Sequence, residues 1–228
     1  MLALAISGLT MRFPGLDAPV LAIDRLHLPA GGQLAVTGAS GSGKSTLVNA
    51  ITGLETATSG SVSWGRTDVA RLSAGRRDAF RAVHIGLVMQ DFHLFPGLSA
   101  FENVVLPVRL SRRLTPVERE RALHLLETTG IARPNQPIET LSRGEMQRIA
   151  VARALLSKPG VIVADEPTAS LDRRTGDEVA ELIVRLAREQ GTTLVVVTHD
   201  PALVDRLDRR IGLDGGRIVE DSAEARAA

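Results

Sequence analysis

The sequence has no cysteine among its 228 residues. Disulfide frameworks and thiolate metal sites are therefore excluded, and the composition suits a reducing compartment. An excess of one charge is also missing, with 27 basic residues against 26 acidic ones. A nucleic-acid binder normally carries a basic excess or patch, so nucleic acid is not expected as a partner. No apolar run approaches the roughly 18 residues that a membrane span requires. Candidates such as Leu194-Val195-Val196-Val197 have the length of a buried strand. The start, Met1-Leu2-Ala3-Leu4-Ala5-Ile6, lacks the basic segment and the length of a secretory leader. The expectation is a soluble protein that reaches any membrane only through a partner. Repeats and low-complexity tracts are absent too. Lysine is nearly so: it occurs only at Lys44 and Lys158, every other basic side chain being arginine. Lys44 is conspicuous for that reason.

What is present suffices for one α/β domain, or one with a small insertion. Hydrophobic residues make up 44% and charged residues 23%, as in a chain with a real core. Leu2 to Leu9 alternates like a strand, and Gln33-Leu34-Ala35-Val36-Thr37 is a second strand running into a glycine-rich turn. A helix is expected over Ser45 to Thr52, and a further strand over His84 to Met89. Beyond Asp91 the pattern changes: Pro96 and Pro107 break it, and amphipathic helices are expected over Val117 to Thr129 and Gln147 to Ser157. Residues 91–157 thus read as a helical insertion. Val161 to Ala164 and Thr193 to Thr198 are continuous apolar runs, as in strands covered on both faces. Between them, Arg173 to Gln190 reads as a long helix ended by Gly191. Asp214-Gly215-Gly216 reads as a hairpin turn, and residues 220–228 as a frayed tail. Strands alternating with helices predict a mainly parallel sheet with helices on both faces.

Gly38-Ala39-Ser40-Gly41-Ser42-Gly43-Lys44-Ser45 fits the full phosphate-loop pattern, with a strand before it and a helix after. The glycines let the backbone curl so that N–H groups converge on an anion, and the helix start adds its positive end. Lys44 would reach the β- and γ-phosphates, and the Ser45 hydroxyl would bind Mg²⁺. Thr46 follows in the same turn. The loop alone predicts only a bound nucleotide, ATP or a relative of it.

Four more segments narrow the chemistry. Val161 to Ala164 ends in Asp165-Glu166, where Asp165 would hold Mg²⁺ and Glu166 could take a proton from attacking water. A strand followed by a polar turn is the plainer alternative. Ser142 and Gly144, in Leu141-Ser142-Arg143-Gly144-Glu145-Met146-Gln147-Arg148, open a helix and form a second anion site, or else an ordinary cap. Gln90 and His199 each follow a strand expected beside the phosphate loop, at the end where open α/β sheets bind ligands.

In this order the phosphate loop, Gln90, the Leu141 to Arg148 signature, Asp165-Glu166, Ala169-Ser170-Leu171-Asp172 and His199 resemble the ATP-binding subunit of an ABC transporter. The resemblance covers roughly Leu4 to Val219. It implies a P-loop NTPase core over 1–90 and 158–219, with an N-terminal antiparallel β portion and a helical subdomain over 91–157. It also implies a Mg²⁺-dependent ATPase that closes as a head-to-tail dimer, read as a homodimer. Each ATP would lie between one subunit's phosphate loop and the other's signature, at Ser142, Arg143, Gly144 and Glu145. Ser170, Leu171 and Asp172 would face the dimer partner. Gln90 would join Ser45 and Asp165 at the metal, and His199 would contact the γ-phosphate. Phe13 falls where the family places an aromatic against adenine, a core phenylalanine being the alternative.

Gln90 to Pro96, Ala100 to Val104 and Ala164 to Thr168 are similar to the branch serving lipoprotein release, macrolide-type export and cell-division complexes. The branch implies a separate membrane permease, a place at the inner face of the cell membrane, and a coupling surface within Asp91 to Leu110. A regulatory ATPase acting through a membrane partner on an external enzyme is the alternative. Two departures stand out. Arg143 replaces a signature glycine, and Ala169-Ser170 replaces the Gly-Asn of the lipoprotein-releasing type.

Overall fold

The structure is a computed structural model and describes residues 1–225. The N-terminal portion builds an antiparallel sheet from β1 (Leu4–Met11) and β2 (Leu21–Leu28), then continues into β3 (Gln33–Thr37) and α1 (Lys44–Thr52). β4 (Ser59–Trp64) and β5 (Thr67–Asp68) complete that first sheet in the order β2-β1-β4-β5. The strand expected over Leu2 to Leu9 begins later and runs on to Met11. Its alternation is interrupted at Gly8, where the pairing with β4 shifts between Ser7 and Thr10. Such a bulge inserts an extra residue, so Leu9 and Met11 bury on the face that Leu4 and Ile6 occupy.

The next elements are α2 (Ala74–His84), β6 (Ile85–Val88), α3 (Ala100–Ser111), α4 (Pro116–Thr128), α5 (Arg143–Leu155) and β7 (Val161–Asp165). They are followed by α6 (Arg173–Glu189), β8 (Thr193–Val197), α7 (Pro201–Val204), β9 (Arg209–Asp214), β10 (Arg217–Asp221) and α8 (Ser222–Ala225). The second sheet has the order β10-β9-β3-β8-β7-β6, parallel except for the β9-β10 hairpin. The fold is therefore the expected mixed α/β one, with an antiparallel N-terminal sheet beside a mainly parallel sheet.

Alternate residues of β7 and β8 serve two different cores. Ile162, Ala164, Leu194 and Val196 pack among buried side chains of α3, α4, α5, α6 and α7. Val161, Val163, Val195 and Val197 point the other way, onto α1 and the antiparallel sheet. This explains why both strands lack any polar alternation.

Three expectations need correction. His84 belongs to the end of α2, which buries no side chain and so carried no apolar stripe. Pro107 does not end a helix; it sits inside α3. An interior proline costs about 3 kcal/mol. Phe101, Val104, Val105 and Val108 are buried on that helix, at about 1.5–3 kcal/mol each, and a Ser99–Glu102 capping box fixes its start. Packing outweighs the proline. Finally, 220–225 are not frayed: β10 runs to Asp221, whose carboxylate pairs with Arg209, and α8 follows. The rest of the expected tail, 226–228, lies outside the described residues.

Candidate nucleotide site and its relatives

β3, β8, β7 and β6 are neighbours and parallel, so their C-terminal ends share one rim of the sheet. The Gly38 to Gly43 loop leaves β3 there; Gln90 comes after β6, Asp165 ends β7, and His199 comes after β8. A cavity of about 630 Å³ opens at this rim. Gly38, Ala39, Ser40, Gly41, Gly43, Lys44, Ser45 and Thr46 line it together with Gln90, Asp165, Glu166 and His199. Residues up to 161 positions apart in the chain are thus brought together by the sheet order.

The loop is shaped for an anion. Gly43 precedes α1 at φ 100°, offers no side-chain cap, and the first turn holds no acidic residue. The helix's first N–H groups are left for a ligand. A Cβ at Gly38 would lie 2.3 Å from the Leu213 carbonyl oxygen, so the loop packs backbone against backbone here. Lys44 Nζ donates to the carbonyls of Gly38 at 2.7 Å and Ala39 at 2.8 Å, which carries its charge back over the loop. Ser42 does not line the cavity; it is buried beneath the loop with its hydroxyl unpaired.

Opposite stand the carboxylates. Burial pushes the Asp165 carboxyl up from its ordinary value and the Glu166 charge adds to this, while the Ser45 hydroxyl and Lys44 oppose both. A carboxylate in that position gains from an added cation. Glu166 adopts φ 46°, rare for a residue with a side chain, with its N–H donating to the Val197 carbonyl at 2.8 Å. Its Oε2 lies 2.9 Å from Nδ1 of His199, whose side chain is 71% exposed. Among the described residues no three His, Asp or Glu side chains cluster to hold a metal. One carboxylate with a hydroxyl and an amide suits Mg²⁺, which keeps waters and takes phosphate oxygens as ligands.

A family described as ABC transporter matches residues 21–169. The chain belongs to that family. It is the ATP-binding cassette, and hence an ATP hydrolase. It is 44% identical over 210 residues to the lipoprotein-releasing system ATP-binding protein LolD of Xanthomonas campestris pv. campestris, covering 91% of this chain and 84% of that one. Against LolD of Bordetella pertussis the identity is 42% over 203 residues, covering 89% and 88%. Among solved structures it is similar to a dimeric ATP-binding cassette in a post-hydrolysis state with ADP and Pi. There the TM-score is 0.86 at 34% identity, covering 96% of this chain and 97% of that one. A cassette of the ABC transporter complex cbiONQ from Clostridium perfringens gives a TM-score of 0.85 at 29% identity, covering 98% and 90%.

The remaining expected residues of this ABC cassette lie off the cavity. Ser142 caps α5: its N–H and hydroxyl donate to the Glu145 carboxylate at 2.9 and 2.7 Å, which holds that carboxyl below its ordinary value. Arg143 is exposed and lies over the Phe92 ring, 5.4 Å from its centroid. Gly144 is pressed against Thr175, where a Cβ would stand 2.3 Å from Cγ2. Asp172 caps α6 by accepting from Thr175 N–H at 3.1 Å, Leu171 packs half-buried on the helical core, and Ser170 precedes them. Phe13 is half-buried against the core of the antiparallel sheet and does not line the cavity. Val20 does line it, and so does Ala169. Val20 carries no local signal of this role, since its place depends on β2 folding beside the loop.

Proposed function

We propose that this chain is the ATP-hydrolysing subunit of a lipoprotein-releasing type of ABC complex, working with a separate membrane permease at the inner face of the cell membrane. The lipoprotein-releasing role that the LolD relatives are named for supports the substrate class. The single observation that carries the catalytic reading is the meeting of Asp165, Glu166 and His199 with the Lys44 loop across one cavity.

In this reading the loop N–H groups and Lys44 hold the phosphate oxygens and absorb charge as it develops. Glu166 orients a water in line with the γ-phosphorus and accepts its proton on the carboxylate. The new P–O bond forms as the bond to the β-phosphate oxygen breaks, and ADP leaves with that electron pair. The Nδ1 contact from His199 fixes the Glu166 carboxylate, and the largely buried position of Glu166 keeps it from wandering. Ser45, Gln90 and Asp165 would hold Mg²⁺, which when bound supplies further charge neutralisation at the β- and γ-oxygens.

The signature at Ser142 lies on a different part of the surface from the cavity, which supports a head-to-tail dimer as the competent state. No helix among the described residues is long and apolar enough to cross a membrane. A groove between Met89, Phe95, Leu106 and Leu110, with Phe95 53% and Leu110 77% exposed, suits an apolar helix of the permease. Leu98 is half-buried and accepts bonds from Asn103 and Ile138, so Phe95 is the better candidate for that contact.

The test is Glu166→Gln. It should retain ATP binding and form an ATP-dependent dimer, with turnover reduced by about 10²-fold or more. Turnover near that of the parent chain would mean that Glu166 is not the group that takes the proton from water.

A further inference from the structure

Helix α5 grips the segment after β6 at two points. From its last turn, Arg153 donates to the Phe92 carbonyl at 2.6 Å and to the His93 carbonyl. From its first residue, Arg143 lays its guanidinium over the Phe92 ring. Phe92 and His93 stand at φ 53° and 48°, two consecutive left-handed residues with side chains. Such backbone persists only where its surroundings hold it. The segment starts just past Gln90 and leads to the exposed Phe95.

We propose that Arg143 has two alternative seats, the Phe92 ring of its own chain and the phosphate of the nucleotide held by the partner's loop. The inference rests on the head-to-tail reading above and assigns the unusual signature residue a task. A planar guanidinium suits both seats: it stacks on an aromatic face and pairs with phosphate oxygens. At an exposed site the stack is the weaker contact, and a charge-assisted bond to phosphate is the stronger. Dimer closure therefore draws Arg143 off Phe92. Arg153 keeps its hold on the carbonyls, so the ring side of the segment alone is released. Nucleotide in the partner's site is in this way reported to the stretch that leads to Phe95. The cost of leaving the ring also sets how much ATP is needed to close the dimer.

The experiment uses the full chain in the Glu166→Gln background and follows ATP-dependent dimerisation by sedimentation. Phe92→Leu frees Arg143, so the ATP concentration for half-maximal dimer should fall by about 2–5-fold. Arg143→Gln should raise it by about 10-fold or more. The double variant should behave as Arg143→Gln, because Phe92 acts through Arg143. ATP affinity of the separate subunits should not change, since neither residue lines the chain's own cavity. If Phe92→Leu melts too low to titrate, Phe92→Met keeps an apolar side chain without the π face. An unchanged or raised ATP requirement in the Phe92 variants overturns the inference. So does a Phe92 effect that persists in the Arg143→Gln background. A parent chain that forms no dimer with ATP overturns the dimer reading itself, and this inference with it.

Discussion

Glu166 combines a left-handed backbone with a carboxylate aimed at His199, at the end of a strand whose last residue is another carboxylate. Backbone of this kind costs on the order of 1–3 kcal/mol and collects at functional sites. Gly38 shows the complementary constraint. At φ 151°, a Cβ there would meet the Leu213 carbonyl oxygen at 2.3 Å and the Ser42 hydroxyl at 2.5 Å. Gly38→Ala should destabilise the chain by about 1–3 kcal/mol, lowering the melting temperature by roughly 2–4 °C per kcal/mol and weakening ATP binding in parallel. Calorimetry and nucleotide titration check this, and a variant with unchanged melting and affinity would show that the loop can relax. Gly38, Lys44, Ser45, Asp165 and Glu166 were legible in the sequence because each sits in a short pattern whose chemistry is local. Val20 was not. Its carbonyl lies against Gly43 and Gly216, so its place is fixed by residues from two distant parts of the chain.

Among the elements, strands with apolar runs were legible, whereas α2 and α3 were hidden for opposite reasons. α2 turns inward only a half-buried face of Arg77, Phe80, Arg81 and His84, with one apolar member to betray it, and α3 has a buried face but is interrupted by Pro107. The helix starts are a better guide. Ser99–Glu102, Thr115–Glu118 and Ser142–Glu145 are all capping boxes, and they open α3, α4 and α5 in turn. The second has a pH signature. The bond from Arg112, aided by the Thr115 N–H, pulls the Glu118 carboxyl down to about 2. A carboxyl lowered in the folded state contributes stability that is fully present above its unfolded value of about 4.3, and loses it as pH falls toward 2. The stability gap between the parent chain and Glu118→Gln should thus be constant from pH 5 to 7 and shrink below about pH 4. Denaturant midpoints across that range measure it, and a gap that widens in acid would refute the pairing. Arg112 is more than half exposed, so the gap itself should be small.

At the scale of the molecule, one sheet separates two cores and presents one rim to ligand. β3, from which the phosphate loop springs, lies between β8 and β9 and pairs Leu34 with both Val195 and Arg209. A strand read at residues 33–37 therefore waits for partners beyond residue 193. The adjacent antiparallel sheet is nearly local in sequence, yet its inner face is covered by residues of β7, β8 and β9. During synthesis the first sheet and the phosphate loop leave the ribosome early, and the core they share is not complete until β9 has followed. A chain stopped after Asp208 would keep every ATP-binding motif and should bind ATP at least about 100-fold more weakly, or not at all, in a fluorescent-nucleotide titration. Retained affinity would mean that β8 alone can hold the loop. The phosphate loop is written early in the gene, yet the strand it springs from gains its second neighbour only with β9, so nucleotide binding would report that translation has passed Asp214.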